Sequence, residues 1–190
     1  MNQTWPGFSA FVRRGSILAL LVGALTIFGA QAAFANSVAP AAVSNAPGKV
    51  LSVKPMQLSA ALANVAIGKR ITYASRDSSN RAITVSGAVL TPKPFYLITN
   101  PSGATKTIAW AHGTAGLADQ CAPSAFPNLF PDSTYNNYAD TLVSYLTKGW
   151  TVTATDYPGL GSPGNHPYLV GDSEGRAAIA SVRPARHLNP

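Results

Sequence analysis

Two apolar runs separated by a helical pattern limit the fold of this chain more than any other feature. In "KTIAWAHG", Ile108, Ala109, Trp110 and Ala111 follow one another without a polar alternate. Such a run fits a strand buried on both faces rather than one with a wet side. "WTVTATD" gives a second strand that ends at Asp156. Between them, "NYADTLVSYLTK" (137–148) places Tyr138, Leu142, Tyr145 and Leu146 on one face of a helix, and Gly149 supplies its stop. Strand, helix, strand in this order implies a parallel pair with a right-handed crossover.

The upstream text adds antiparallel strands. "KVLSVKPM" predicts a short first strand, and "KRITYASRDSSNRAITVSGAVLTP" shows two β-rich runs around a polar turn at Asp77 to Asn80. That is a hairpin signal, expected at the edge of the sheet. An antiparallel start feeding a parallel βαβ unit is a mixed α/β architecture. After the Gly- and Pro-rich "YPGLGSPGNHPYLV", Ala178, Ile179 and Val182 predict a helix beginning near Asp172. Asp172 or Ser173 is its expected N-cap, with Glu174 in the first turn, where the helix dipole favours an acid. Pro184 lies inside this pattern and is expected to kink or end the helix, because it removes a backbone hydrogen bond.

The start of the chain reads as an export signal. Arg13 and Arg14 precede the apolar "SILALLVGALTIFGA", and the small-residue site "AQAAFA" follows. Residues 1–35 are therefore expected to be a signal peptide cleaved after Ala35, with Ala32 the other candidate and a retained anchor the alternative. Residues 36–48 read as a flexible mature terminus, and 49–190 as the folded part. The chain is expected to be secreted or periplasmic, with no stable membrane span after cleavage. Without Arg13 and Arg14 the 14 basic side chains fall to 12 against seven acidic ones, a net +5. These charges are scattered rather than clustered, so no nucleic-acid partner is expected. The histidines and acids show no metal-ligand spacing. Cys121 is alone and predicts a free thiol unless a partner lies elsewhere.

Gly171, Ser173 and Gly175 in "GDSEG" match G-x-S-x-G, the pattern of a serine nucleophile on a strand-to-helix elbow. Three features argue against that role. Only Tyr168, Leu169 and Val170 precede Gly171, too few for a buried central strand. Glu174 would put a carboxylate beside a developing oxyanion, where donors are needed. In this arrangement the acid and then the histidine follow the serine along the chain, yet after Glu174 only His187 remains, on the same helix. Ser173 is expected at a helix N-terminus.

"WAHGTAGLADQCAPS" (110–124), "GWTVTATDYPGLGSPGNHPYLVG" (149–171) and "SEGRAAIASVRPARHL" (173–188) together resemble the secretory lipase family of α/β-hydrolases. The resemblance spans Lys49 to Leu188. It implies an incomplete α/β-hydrolase sheet and an ester hydrolase of the lipase or carboxylesterase type, acting on lipid or acyl esters without a cofactor. It also implies that nucleophile, acid and base lie beyond Pro190, so that this chain carries no catalytic triad and is inactive by itself. By the same resemblance, Gly113 and Thr114 supply one half of an oxyanion hole, and His112 orients their loop. An ordinary tight turn is the alternative there. Asp156, at a strand end, is expected to bond loop N–H groups. The long loop from Leu117 to Asn136 is either a pocket wall facing an acyl chain or an apolar surface for further chain. A rival reading of the whole is a non-catalytic secreted binding domain on a shortened α/β scaffold.

Overall fold

A computed structural model of the chain describes residues 46–130 and 137–188. The signal-peptide reading of 1–35 and most of the flexible segment read at 36–48 lie outside them. The described strands are β1 (Val50–Met56), β2 (Ala66–Arg76), β3 (Ala82–Pro92), β4 (Thr107–Trp110) and β5 (Thr151–Thr155). The described α-helices are α1 (Ala60–Val65), α2 (Pro94–Thr99), α3 (Asn137–Leu146) and α4 (Gly171–Leu188). The strands form one mixed sheet in the order β1-β2-β3-β5-β4, with β4 and β5 parallel and the other pairs antiparallel.

The hairpin forms where the sequence predicts it. Arg76 pairs with Ala82, and the Asp77 carboxylate closes the turn by accepting the N–H groups of Ser79 and Arg81, each at 2.9 Å. Its place in the sheet differs from the expectation. β2 and β3 are interior strands, because β1 adds outside β2 and β3 bonds to β5. β1 is the edge, and five of its seven residues are exposed.

The crossover from β4 through α3 to β5 is also as predicted, and Gly149 ends α3 with φ at 77°. β5 is buried along its whole length, with α3 and α4 both packed against it. β4 is less buried than the sequence predicts, and its Ala109 is exposed. Among the described residues β4 is bonded on one side only and forms the second edge of the sheet.

Leu62, Leu90, Leu142, Leu146 and Val152 make one apolar cluster, in which α1 and α3 meet the sheet. Ile71, Tyr73, Val85, Val89, Ala177, Ala180 and Ala185 make the other, beneath α4. Small residues on α4 let its backbone approach the strands, so that Tyr73 donates from its hydroxyl to the Ala177 carbonyl at 3.0 Å. Leu129 and Phe130, in the long loop, are buried, and Leu129 joins the first cluster.

Two expectations about α4 are corrected. The helix runs through Pro184 to Leu188 rather than ending there. A proline leaves the carbonyl four residues earlier, here that of Ala180, without its helical donor. The next carbonyl, Ser181, takes a bond from the Thr153 hydroxyl of β5 at 3.0 Å, which ties this stretch to the sheet. Neither Asp172 nor Ser173 is an N-cap. Both lie inside the first turn, where the N–H groups of Ser173 and Glu174 donate to the Val170 carbonyl.

Candidate functional site

Trp110 is opposite Ala154 across the parallel pair, so the C-terminal ends of β4 and β5 lie side by side. The loops leaving those ends form the site, as in open α/β sheets generally. His112 and Gly113 follow β4; Asp156 and Tyr157 follow β5. His112, Gly113, Thr114, Tyr157, Tyr168 and Glu174 are among the residues around a cavity of about 180 Å³.

Asp156, directly before Tyr157, anchors the loop that leaves β5. It is fully buried, and its Oδ1 accepts the Ser124 N–H at 2.7 Å. Its Oδ2 accepts the Ser124 hydroxyl at 2.5 Å and lies 2.6 Å from the Ser86 hydroxyl. The expected bond from a strand-end acid to a loop N–H is therefore present. Burial is the main influence on this carboxyl and pushes its pKa above the ordinary range, against the hydrogen bonds that pull it down. Arg70 donates to the Ser124 hydroxyl at 2.9 Å and extends the network to β2.

His112 is buried, and desolvation holds its pKa below the ordinary value. The neutral ring has one N–H, and the shorter contact places it on Nδ1, which donates to the Gly113 carbonyl at 2.6 Å. Nε2 lies 3.4 Å from the Asp156 carbonyl. The Tyr157 hydroxyl donates to the His112 carbonyl at 3.0 Å, and the two rings are 4.3 Å apart.

These bonds fix two successive peptide planes. A trans peptide directs its N–H away from its carbonyl. Holding the His112 carbonyl on Tyr157 therefore orients the Gly113 N–H, and holding the Gly113 carbonyl on the imidazole orients the Thr114 N–H. Neither N–H has a protein acceptor among the described residues. The chain pays for this arrangement in backbone strain. Tyr157 (φ 67°) and Leu169 (φ 63°) both line the cavity in the left-handed region, at about 1–3 kcal/mol each. Gly113 is also constrained, since a Cβ there would stand 3.3 Å from the Tyr138 hydroxyl.

Ser173 lies elsewhere in character. Its side chain is fully buried, with a hydroxyl that has no partner. Pro167 to Val170, before it, form a turn closed by the Val170 N–H on the Pro167 carbonyl at 3.0 Å. No strand leads into it. His187 is exposed at the far end of the same helix. Of the residues singled out from the sequence, His112, Gly113 and Thr114 line this cavity and Asp156 directly precedes Tyr157, whose bond to the His112 carbonyl the sequence reading did not anticipate. The sequence gives only a weak signal for it: an aromatic residue directly after a strand end, in "TDYPG".

Neither a family model nor a curated protein matches the chain. Solved structures do. Candida antarctica lipase A in its closed state aligns with a TM-score of 0.59 at 19% identity, over 76% of this chain and 33% of that one. The N228W mutant of the rice cell wall degrading esterase LipA from Xanthomonas oryzae aligns with a TM-score of 0.55 at 27% identity, over 75% of this chain and 38% of that one. The fold is lipase/esterase-like. The mixed sheet, with its antiparallel strands and one parallel pair, is consistent with that likeness. The chain spans between 33% and 38% of the length of these two structures. No described helix is long and apolar enough to cross a membrane.

Proposed function

We propose that this chain provides the scaffold and the oxyanion-binding loop of an exported lipase or carboxylesterase that acts on lipid or acyl esters. Residues 1–35 serve as its signal peptide. The observation that carries the reading is the pair of pinned peptides at His112–Gly113 and Gly113–Thr114, whose N–H groups have no protein acceptor among the described residues. Donors held before the reaction are what a tetrahedral oxyanion requires, and losing one such donor costs a hydrolase about 2.7–4 kcal/mol in the transition state. His112 and Tyr157 are positioning residues that act through the backbone.

Ser173 is not the nucleophile of this reaction. It is buried in the first turn of α4, behind a turn instead of a strand, so it lacks the exposed elbow that attack on a carbonyl needs. The chain alone therefore does not turn over esters, and uses no cofactor.

The test is a titration of isotope-labelled chain with butylphosphonate, a stable tetrahedral oxyanion, followed through backbone amide shifts. The largest shifts are expected at Gly113 and Thr114. Tyr157→Phe should reduce the Gly113 shift while leaving the α4 amides in place, which a general loss of structure would not do. Gly113 and Thr114 amides that do not respond would overturn the reading.

A further inference from the structure

The cavity at the oxyanion loop continues outward along a row of rings. His112 and Tyr157 are 4.3 Å apart, Tyr157 and His166 6.3 Å, and His166 and Tyr168 6.1 Å, and all four line the cavity. The Tyr168 and Thr114 hydroxyls lie 3.1 Å apart, so the outer end of the row is hydrogen-bonded to the loop itself. Next to it in the chain are Leu169, which also lines the cavity, and Val170, both of them exposed. The Val170 carbonyl accepts the N–H groups of Ser173 and Glu174, which fixes this apolar lip to α4.

Leu169 supplies the second observation. Its φ of 63° puts it in the left-handed region, which a bulky side chain rarely enters. Leu129 shares that state at 61°, but its side chain is buried in the apolar core, and Tyr157 is held by its bond to the His112 carbonyl. Leu169 has no such compensation, because it is 78% exposed. A strained apolar residue kept in water at the mouth of a cavity points to a ligand that covers it. The size of the cavity agrees. A water takes up about 30 Å³ of liquid, so about 180 Å³ holds about six groups of that size, a tetrahedral head and the first carbons of a chain. A longer chain has to leave over the rim.

We infer that Tyr168, Leu169 and Val170 form the acyl lip of this site. The inference rests on the reading of His112 to Thr114 as an oxyanion loop, and it makes the substrate an ester of an aliphatic acid longer than butyrate. The acid's chain runs along the rings and lies across Leu169. Leu169 sets the preference for chain length and takes no part in the chemistry.

The experiment is an amide-shift titration of isotope-labelled chain with methyl-, butyl- and hexylphosphonate, paired with thermal unfolding of each variant. A fully buried methylene is worth about fourfold in affinity, and a chain on an open lip is covered on one side, so each methylene should gain about twofold. Hexylphosphonate should therefore bind about 30-fold more tightly than methylphosphonate. In Leu169→Asn this ratio should fall about threefold or more, while the Tm of the free chain rises, because asparagine enters the left-handed region readily. A leucine that merely packs would give a lower Tm and an unaltered ratio. Ile179→Gln, a change at an exposed residue of α4 that does not line this cavity, is the control and should keep the parent ratio. Should Leu169→Asn fail to unfold cooperatively, Leu169→Gly replaces it. Affinity that does not grow with chain length, while methylphosphonate still shifts the Gly113 and Thr114 amides, would overturn the lip and leave the oxyanion loop standing. No shift of those amides with any of the three ligands would overturn both. A Leu169→Asn ratio equal to the parent's, or an equal fall in Ile179→Gln, would overturn the lip as well.

Discussion

Replacing Asp156 separates its roles as a hydrogen-bond acceptor and as a buried charge. In Asp156→Ala, the Ser124 N–H and the Ser124 hydroxyl lose their acceptor, while the Ser86 hydroxyl keeps the Leu160 carbonyl at 2.9 Å. Each buried donor left without a partner costs about 1–3 kcal/mol, so the variant should lose about 2–6 kcal/mol. At a slope of about 2 kcal/mol per molar, that lowers the urea midpoint by about 1–3 M. Asp156→Asn keeps an acceptor for the Ser124 N–H and should lose no more than about 1.5 kcal/mol. The two variants also differ in how they respond to pH. Because burial raises the Asp156 pKa, the native chain keeps this proton across an interval where the unfolded chain has released it. The stability the group contributes is fully present below the unfolded value of about 3.9 and is lost as pH rises through the folded pKa. Asn does not titrate, so the stability gap between wild type and Asp156→Asn should narrow from pH 4 to pH 7. Urea unfolding of the three proteins at both pH values measures all of this. An Asp156→Ala loss below 1 kcal/mol, or a gap that widens with pH, would refute the reasoning.

Two further outcomes follow from the same geometry. His112 has its pKa lowered, chiefly by burial, so its contribution is present above the unfolded value of about 6.5 and is lost as pH falls through the interval down to the folded pKa. Thermal unfolding from pH 7 to pH 5 should show that decline in the parent and a smaller one in His112→Asn. Cys121 is a free, half-buried thiol, and labelling of the unfolded, non-reduced monomer should modify it completely; a monomer that needs reductant first would contradict this.

The central architecture was legible because its signals are local and strong. Unalternated apolar text gave β4, the Tyr138–Leu146 face gave α3, and the polar "DSSN" turn gave the hairpin. The order of strands was less accessible. Nothing within "KRITYASR" says that β1 will pair outside it, so the hairpin was expected at an edge that β1 occupies. α1 and α2, at six residues each, were missed because they are too short to establish a hydrophobic period, although Pro94 at the first turn of α2 is a recognisable start signal. The bond from Thr153 to the Ser181 carbonyl, which ties α4 to the sheet beside Pro184, joins residues 28 apart on different elements, and no local pattern contains it. At the site, His112, Gly113 and Thr114 were reached through family resemblance. The clamp that gives them meaning, the Tyr157 hydroxyl on the His112 carbonyl, joins two loops that only the parallel pairing of β4 and β5 brings together.

The central claim is that this chain holds an oxyanion-binding loop on a lipase/esterase-like sheet but no nucleophile, Ser173 included. Hydrolysis of p-nitrophenyl butyrate by the purified chain, beside its Ser173→Ala variant, tests this most directly. Both proteins should release nitrophenol no faster than buffer alone. Turnover by the parent that disappears in Ser173→Ala would contradict the claim, since it would make the buried serine of α4 the attacking group.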